Sequence, residues 1–98
     1  MYPENGILKG EMKVAGGKLI KCRMTVRTGI IVNIKLSGDF FMHPEEKIDE
    51  LEEKLAGCPL DEKHLRNICS PFFEGVELIG ATPEDFIAVM LKAHRRDN

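Results

Sequence analysis

Between Leu8 and Leu36, apolar residues recur at every second position in three blocks. Leu8, Gly10, Met12 and Val14 share one parity; so do Ile20, Cys22, Met24 and Val26, and then Ile30, Val32, Ile34 and Leu36. A period of two puts each set on one face of a strand, so the pattern predicts three strands with a common buried face. Keeping the sets on one side requires hairpin loops of odd length, because a one-residue slip turns a whole strand over. Ala15-Gly16-Gly17 and Arg27-Thr28-Gly29 each fit a three-residue loop ending on glycine, the residue most tolerant of positive φ. The expected product is an antiparallel meander with Met12 opposite Ile20 and Val26 opposite Ile30.

Beyond Phe41 the period changes to 3.6. Pro44 suits a first helical position, Glu45 and Glu46 favour the positive end of a helix dipole, and Ile48, Leu51 and Leu55 form an apolar stripe that stops before Gly57. This predicts a helix from about Pro44 to Ala56. A shorter helix is expected from about Asp61 to Cys69, with Leu65 and Ile68 inward. Pro71, Phe72, Phe73 and Gly75 interrupt the pattern, and Val76 to Gly80 reads as an extended connector or a short fourth strand. A third helix starts at a capping box, with Thr82 as N-cap, Pro83 at the first position and Asp85 two residues later, and runs to about His94 through Phe86, Ile87, Val89, Met90 and Ala93. The fold class is α+β: one domain over residues 1–98, a meander over 1–38 and a mainly helical part over 39–98, with about three helices on one face of the sheet.

Charge sharpens this division. Residues 1–38 carry seven basic residues against two acidic, a net +5, and residues 39–98 carry seven basic against fourteen acidic, a net −7. The outward parity of the strands contains Lys9, Glu11, Lys13, Lys21, Arg23, Thr25, Arg27, Asn33 and Lys35, a basic and solvated face. Sheet proteins that bind single-stranded nucleic acid stack bases on aromatic side chains, and these strands have none, so nucleic acid is not the expected partner. The face suits either plain solvation, with lysines that discourage edge pairing, or a protein or nucleotide-bearing partner. No apolar run approaches the ~20 residues of a membrane span. Three cysteines without an evident pairing and no leader-like start make the cytoplasm the expected location.

The chemical inventory is short. There is no Walker or dinucleotide glycine loop, no Cys-x-x-Cys and no His-x-x-x-His. Gly16-Gly17-Lys18 imitates a phosphate cradle but joins two strands and opens no helix, so a hairpin turn accounts for it. Glu45, Glu46, Asp49, Glu50, Glu52 and Glu53 read as the solvated face of a helix and not as metal ligands, since no histidine or second carboxylate cluster converges on them. Cys22 is expected in the core, and Cys58 and Cys69, which match no metal spacing, are expected as buried small apolar residues. His43 and His64 have no identifiable nucleophile beside them.

Gly17-Lys18-Leu19-Ile20-Lys21, then Ile34 to Phe41 with Ser37-Gly38-Asp39-Phe40-Phe41 at its end, Pro44-Glu45-Glu46, Leu51-Glu52, Pro59-Leu60-Asp61, Glu77-Leu78-Ile79-Gly80 and Pro83-Glu84-Asp85-Phe86 together resemble the C-terminal accessory domain of lipoate-protein ligase. The resemblance spans nearly the whole chain, and the Ser-Gly-Asp-Phe-Phe corner is its most specific part. It implies an accessory unit of an enzyme whose catalytic domain makes lipoyl-adenylate from ATP and lipoate and then transfers the lipoyl group to a lysine of an acceptor protein. The catalytic domain's Arg-Arg and Gly-Gly-Gly motifs and reactive-site lysine have no counterpart here. No catalytic or metal-ligating residue is therefore expected in the chain, ATP, Mg and lipoate are expected on a separate catalytic subunit, and acceptor proteins are met only indirectly. A start at Met1 and the extent of one domain fit a split, heterodimeric ligase. The expected partner-facing residues are Gly16, Gly17, Lys18, Lys21 and Arg23 on the basic side and Gly38, Asp39, Phe40 and Phe41 at the corner. There Gly38 allows the turn, Asp39 fixes it through backbone hydrogen bonds, and either one ring enters the core while the other faces a partner, or both are buried. The fold also resembles small iron-sulfur assembly scaffolds, which leaves an alternative: a scaffold or sulfur acceptor using Cys22, Cys58 or Cys69.

Overall fold

The structure, a computed structural model, describes residues 6–14, 16 and 18–95. Strands β1 (Gly6–Lys13), β2 (Leu19–Arg27) and β3 (Ile30–Gly38) form an antiparallel sheet in the order β1-β2-β3. Met12 lies opposite Ile20. Val14 N–H donates to the Lys18 carbonyl at 2.8 Å, closing the expected three-residue loop. Ala15 and Gly17 of that loop lie outside the described residues.

The second hairpin corrects the expected register. Arg27 faces Ile30 across a two-residue turn, Thr28-Gly29, with φ of 51° and 78°. Two consecutive positive φ values give a turn whose twist matches that of the flanking strands, which favours it over the longer loop. Val26 then faces Ile31 and Thr25 faces Asn33, so Val32 is the extra residue of a β-bulge. The bulge exchanges two roles: Ile31 is fully buried, whereas Val32, expected inside, is 45% exposed. Below it, Ile34 and Leu36 return to the core face.

Helix α3 (Pro83–Arg95) lies on β1 and β2, α1 (Lys47–Leu55) lies on β3, and α2 (Glu62–Phe73) packs against both helices. Ile20, Met24, Leu51, Leu55, Leu65, Phe86, Val89 and Met90 have essentially no exposure and form the core between sheet and helices. At Gly10 the approach of α3 is so close that a Cβ would stand 2.9 Å from both Ala93 Cβ and the Val89 carbonyl oxygen.

The helix boundaries also shift. Pro44 follows a short strand, β4 (Phe41–His43), through a cis His43–Pro44 bond, and residues 44–46 form a turn in which Lys47 N–H donates to the Pro44 carbonyl at 3.0 Å. The chain must reverse out of a paired strand before it can coil, so α1 starts at Lys47 and not at Pro44. Helix α2 continues over Pro71 to Phe73, beyond its expected end at Cys69. Proline there removes a single bond to the Asn67 carbonyl near the last turn, while Leu65, Cys69 and Phe73, spaced four apart, keep one buried stripe going. The α3 cap is as expected: Asp85 N–H donates to Thr82 Oγ1 at 3.3 Å, and Thr82 N–H donates to Asp85 Oδ2 at 2.8 Å. The segment read as a connector or fourth strand is β5 (Glu77–Ile79), and it pairs with β4 in a second, two-stranded sheet instead of joining the meander.

The outer edge of β3 is covered. Ile31 N–H donates to the Cys58 carbonyl at 3.0 Å and Gly57 N–H to the Ile31 carbonyl at 2.6 Å. Leu36 N–H donates to Glu52 Oε2 at 2.8 Å, so Glu52, expected on the solvated helix face, instead turns toward the sheet with its side chain 12% exposed.

Candidate functional site

Strand β3 ends at Gly38, which faces Ile20 and has φ of 146°. A Cβ at this position would stand 2.2 Å from the Leu19 carbonyl oxygen and 2.9 Å from Ile20 Cα, so only glycine fits. Asp39 follows and grips Leu19 twice: its N–H donates to the Leu19 carbonyl at 2.8 Å, and its Oδ2 accepts the Leu19 N–H at 3.3 Å. From the other side Gly80, with φ of 93°, comes close enough that a Cβ would stand 3.0 Å from the Asp39 carbonyl oxygen. The corner is thus fixed between β2 and the turn that precedes α3.

That fixation decides the fate of the two rings. Phe40 is half-buried, edge-on to Phe86 with ring centroids 4.9 Å apart, while Phe41 is 65% exposed. Phe41 faces Ile79 across the β4–β5 ladder, and Ile79 is itself 48% exposed. The corner therefore presents an apolar cross-strand pair to solvent. Such pairs gain from contact with each other but leave much of their area wet.

The basic parity lies where it was expected. Lys9, Glu11, Lys21, Arg23, Lys35 and Ser37 line a shallow, open hollow of about 430 Å³ on the outer face of the main sheet. A second hollow of about 350 Å³ is lined by Ser37, Gly38, Phe40, Phe41, His43 and Ile48 among others. Ser37 belongs to both, so the basic face and the corner are continuous. Lys18 is exposed and precedes Leu19, whose backbone Asp39 holds, but it lines neither hollow. Gly16 has φ of 86° with nothing within 4 Å of where a Cβ would stand, as an open hairpin turn requires. Gly17 lies outside the described residues.

Among the described residues, no nucleophilic or redox constellation accompanies this surface. Cys22, Cys58 and Cys69 are all buried free thiols. Burial pushes the Cys22 thiol up to about 12 and the Cys69 thiol up to about 11, and burial together with the Asp61 carboxylate raises Cys58. Thiols held protonated inside a core are poor nucleophiles and poor metal ligands, which removes the support for the scaffold alternative. Among the described residues, no three His, Cys, Asp or Glu side chains come together as a metal site. His64 does meet a carboxylate, Asp61, with Nδ1 2.8 Å from Oδ2, but Asp61 is the N-cap of α2 and accepts the His64 N–H at 2.9 Å. The His64 backbone N–H and then its ring hold the Asp61 carboxyl below the usual range, a capping effect.

The model of the bacterial lipoate protein ligase C-terminus family matches residues 8–90. The chain belongs to that family. A curated relative, "Lipoate-protein ligase A subunit 2" of Thermoplasma acidophilum, is 37% identical over 73 residues, covering 74% of this chain and 76% of the relative. A solved chain from an archaeal lipoylation system, a bi-partite lipoate protein ligase and its E2 lipoyl domain from Thermoplasma acidophilum, superposes with a TM-score of 0.79 at 32% identity. It covers 89% of this chain and 97% of that one. Membership fits a non-catalytic subunit whose distinctive residues are turn glycines, exposed cations and an apolar pair. Ile79 and Gly80 were not read as site residues from the sequence. Their signal was the Glu-Leu-Ile-Gly segment, whose alternation puts Leu78 inward and Ile79 outward once it is recognised as a strand.

Proposed function

We propose that this chain is the accessory subunit of a two-chain lipoate-protein ligase, required beside a separate catalytic subunit for ATP-dependent formation of lipoyl-adenylate. The lipoyl group then passes to a lysine of an acceptor protein. The observation that carries the reading is the likeness to subunit 2 of such a ligase over 74% of this chain and 76% of the relative, joined to a surface that, among the described residues, holds exposed apolar side chains and cations but no reacting group. ATP, Mg and lipoate are assigned to the catalytic subunit, the pair works as a heterodimer, and its place is the cytoplasm.

The role is conformational. Lipoyl-adenylate is a mixed anhydride that water destroys, so a subunit that orders substrate loops and excludes solvent raises its yield without donating a catalytic group. Docking then selects the adenylation-competent state of the partner. The contact runs from Gly16, Gly17 and Lys18 and the basic side chains of Lys21 and Arg23 across Ser37 to Gly38, Asp39, Phe40 and Phe41.

Co-purification with the catalytic subunit, followed by an ATP- and lipoate-dependent adenylation assay with and without this chain, tests the reading. Adenylate should accumulate only with both chains. Micromolar ATP binding by the isolated chain in calorimetry, or adenylate made by it alone, would sink the proposal. Reversing Lys18, Lys21 and Arg23 together to glutamate should weaken assembly and adenylation and reduce their salt sensitivity while leaving folding nearly intact, because exposed charges govern encounter more than stability.

A further inference from the structure

The register of the main sheet sets three cations side by side. Lys9 faces Arg23 across β1–β2, and Arg23 faces Lys35 across β2–β3. All three are exposed on the outer face, and they form a row perpendicular to the strands that spans about 10 Å at the usual ~4.8 Å strand spacing. The row on one side, Ile7, Thr25 and Asn33, is uncharged; the row on the other, Glu11, Lys21 and Ser37, pairs one acid with one base. A carboxylate also stands near one end, with Glu52 Oε1 3.8 Å from Lys35 Nζ. Like charges directly opposite one another disfavour a sheet, and alternating signs would solvate the face equally well at no such cost. Arg23 thus stands between two like charges, an arrangement that solvation of the face does not by itself require.

We infer that the concave outer face of the sheet seats an acidic α-helix of the partner, laid across the strands with its carboxylates on the Lys9–Arg23–Lys35 row. This deepens the accessory-subunit reading and rests on it for the partner's identity. The geometry selects a helix. Carboxylates at positions i, i+4 and i+7 stand about 5–6 Å apart on one helix face, close to the pitch of the row. An extended acidic segment presents like-facing side chains about 7 Å apart and falls out of step by the third. The hollow of about 430 Å³ over the row supplies the concavity that a rod about 10 Å wide needs.

Arg23→Gln, at the centre of the row, tests this, with Asn33→Gln as a control outside it. Arg23→Gln should raise the thermal midpoint of the free chain at low salt by about 1–5 °C. The same variant should weaken association with the catalytic subunit about three- to ten-fold. Both differences should shrink as salt is added, and the control should move neither. Unchanged affinity, or a lowered midpoint, in a variant whose wild-type parent does associate would overturn the inference. If the wild-type chain does not associate with the catalytic subunit at all, the accessory reading falls, and a peptide decides the row separately. A helical peptide of about three turns with glutamates at i, i+4 and i+7 should bind more tightly than its scrambled isomer. Equal binding of the two, no binding of either, or tighter binding of inorganic tripolyphosphate would end the helix proposal.

Discussion

Gly38→Ala is the sharpest test of how the corner is held. An alanine Cβ would have to stand 2.2 Å from the Leu19 carbonyl oxygen and 2.9 Å from Ile20 Cα, both of them backbone atoms in a paired strand. Relief requires β2 and the end of β3 to part by about 1 Å, the usual cost of over-packing being about 1–3 kcal/mol. The φ of 146° lies in a region that is essentially reserved for glycine, which adds about 1–3 kcal/mol. Parting the strands also weakens the 2.8 Å bond from Asp39 N–H to Leu19. The sum is about 2–6 kcal/mol, centred on about 4, a large part of the ~5–15 kcal/mol expected for a domain of this size. Gly29→Ala is the control. It also has positive φ, 78°, but nothing lies within 4 Å of its Cβ position. It should therefore cost only about 1 kcal/mol of backbone strain. In urea the first variant should unfold about 2–3 M earlier than wild type and the second less than 1 M earlier. Equal midpoints for the two would refute the claim that close approach to β2, and not glycine's freedom alone, shapes the corner.

Three further outcomes follow from single contacts. Glu52→Ala leaves the half-buried Leu36 N–H without the acceptor it has at 2.8 Å and should cost about 1–3 kcal/mol in chemical denaturation, with Glu52→Gln recovering most of it. Thr82→Ala removes one half of the α3 capping box and should cost about 1 kcal/mol by the same measurement. Cys22 gives a pH dependence: burial raises its thiol from 9.0 to about 12, so the unfolded chain releases this proton first as pH rises. Its contribution is complete below pH 9.0 and is lost between there and about 12, at up to about 1.4 kcal/mol per pH unit. Cys22→Ala should therefore flatten the fall of stability above pH 9, and an unchanged slope would contradict the burial argument.

Much of the fold was legible because the forces that set it are local or periodic. Alternation gave the inward set of β1 and β2, and the Thr82-Pro83-Asp85 cap marked α3 to within a residue. What failed depended on competition between distant parts. Pro71 reads as a helix breaker in isolation, yet Phe73 reaches Phe86, with ring centroids 5.4 Å apart, and that packing carries α2 past it. Glu52 reads as one of six solvated acids, but the β3 edge supplies an N–H that only the folded chain brings near. Strand β4 was hidden because three residues, Phe41 to His43, are too few to show a period, and their partner β5 lies more than thirty positions away.

The candidate surface shows the same limit more finely. Reading the second hairpin with Val26 opposite Ile30 would place Arg23 opposite Asn33, a neutral neighbour. The two-residue turn shifts the pairing by one and the bulge at Val32 by one more, so Arg23 meets Lys35 instead. A shift of two preserves parity, so below the bulge the inward and outward sets were right even though every cross-strand neighbour on β3 was wrong. Parity decides which residues are wet, and a basic face was visible for that reason. Register decides which charges stand together, and a face becomes a site only when they do. The corner obeys the same division: Phe-Phe announced an apolar feature, but only the β4–β5 ladder shows that Phe41 faces Ile79 and that the exposed apolar feature is a pair.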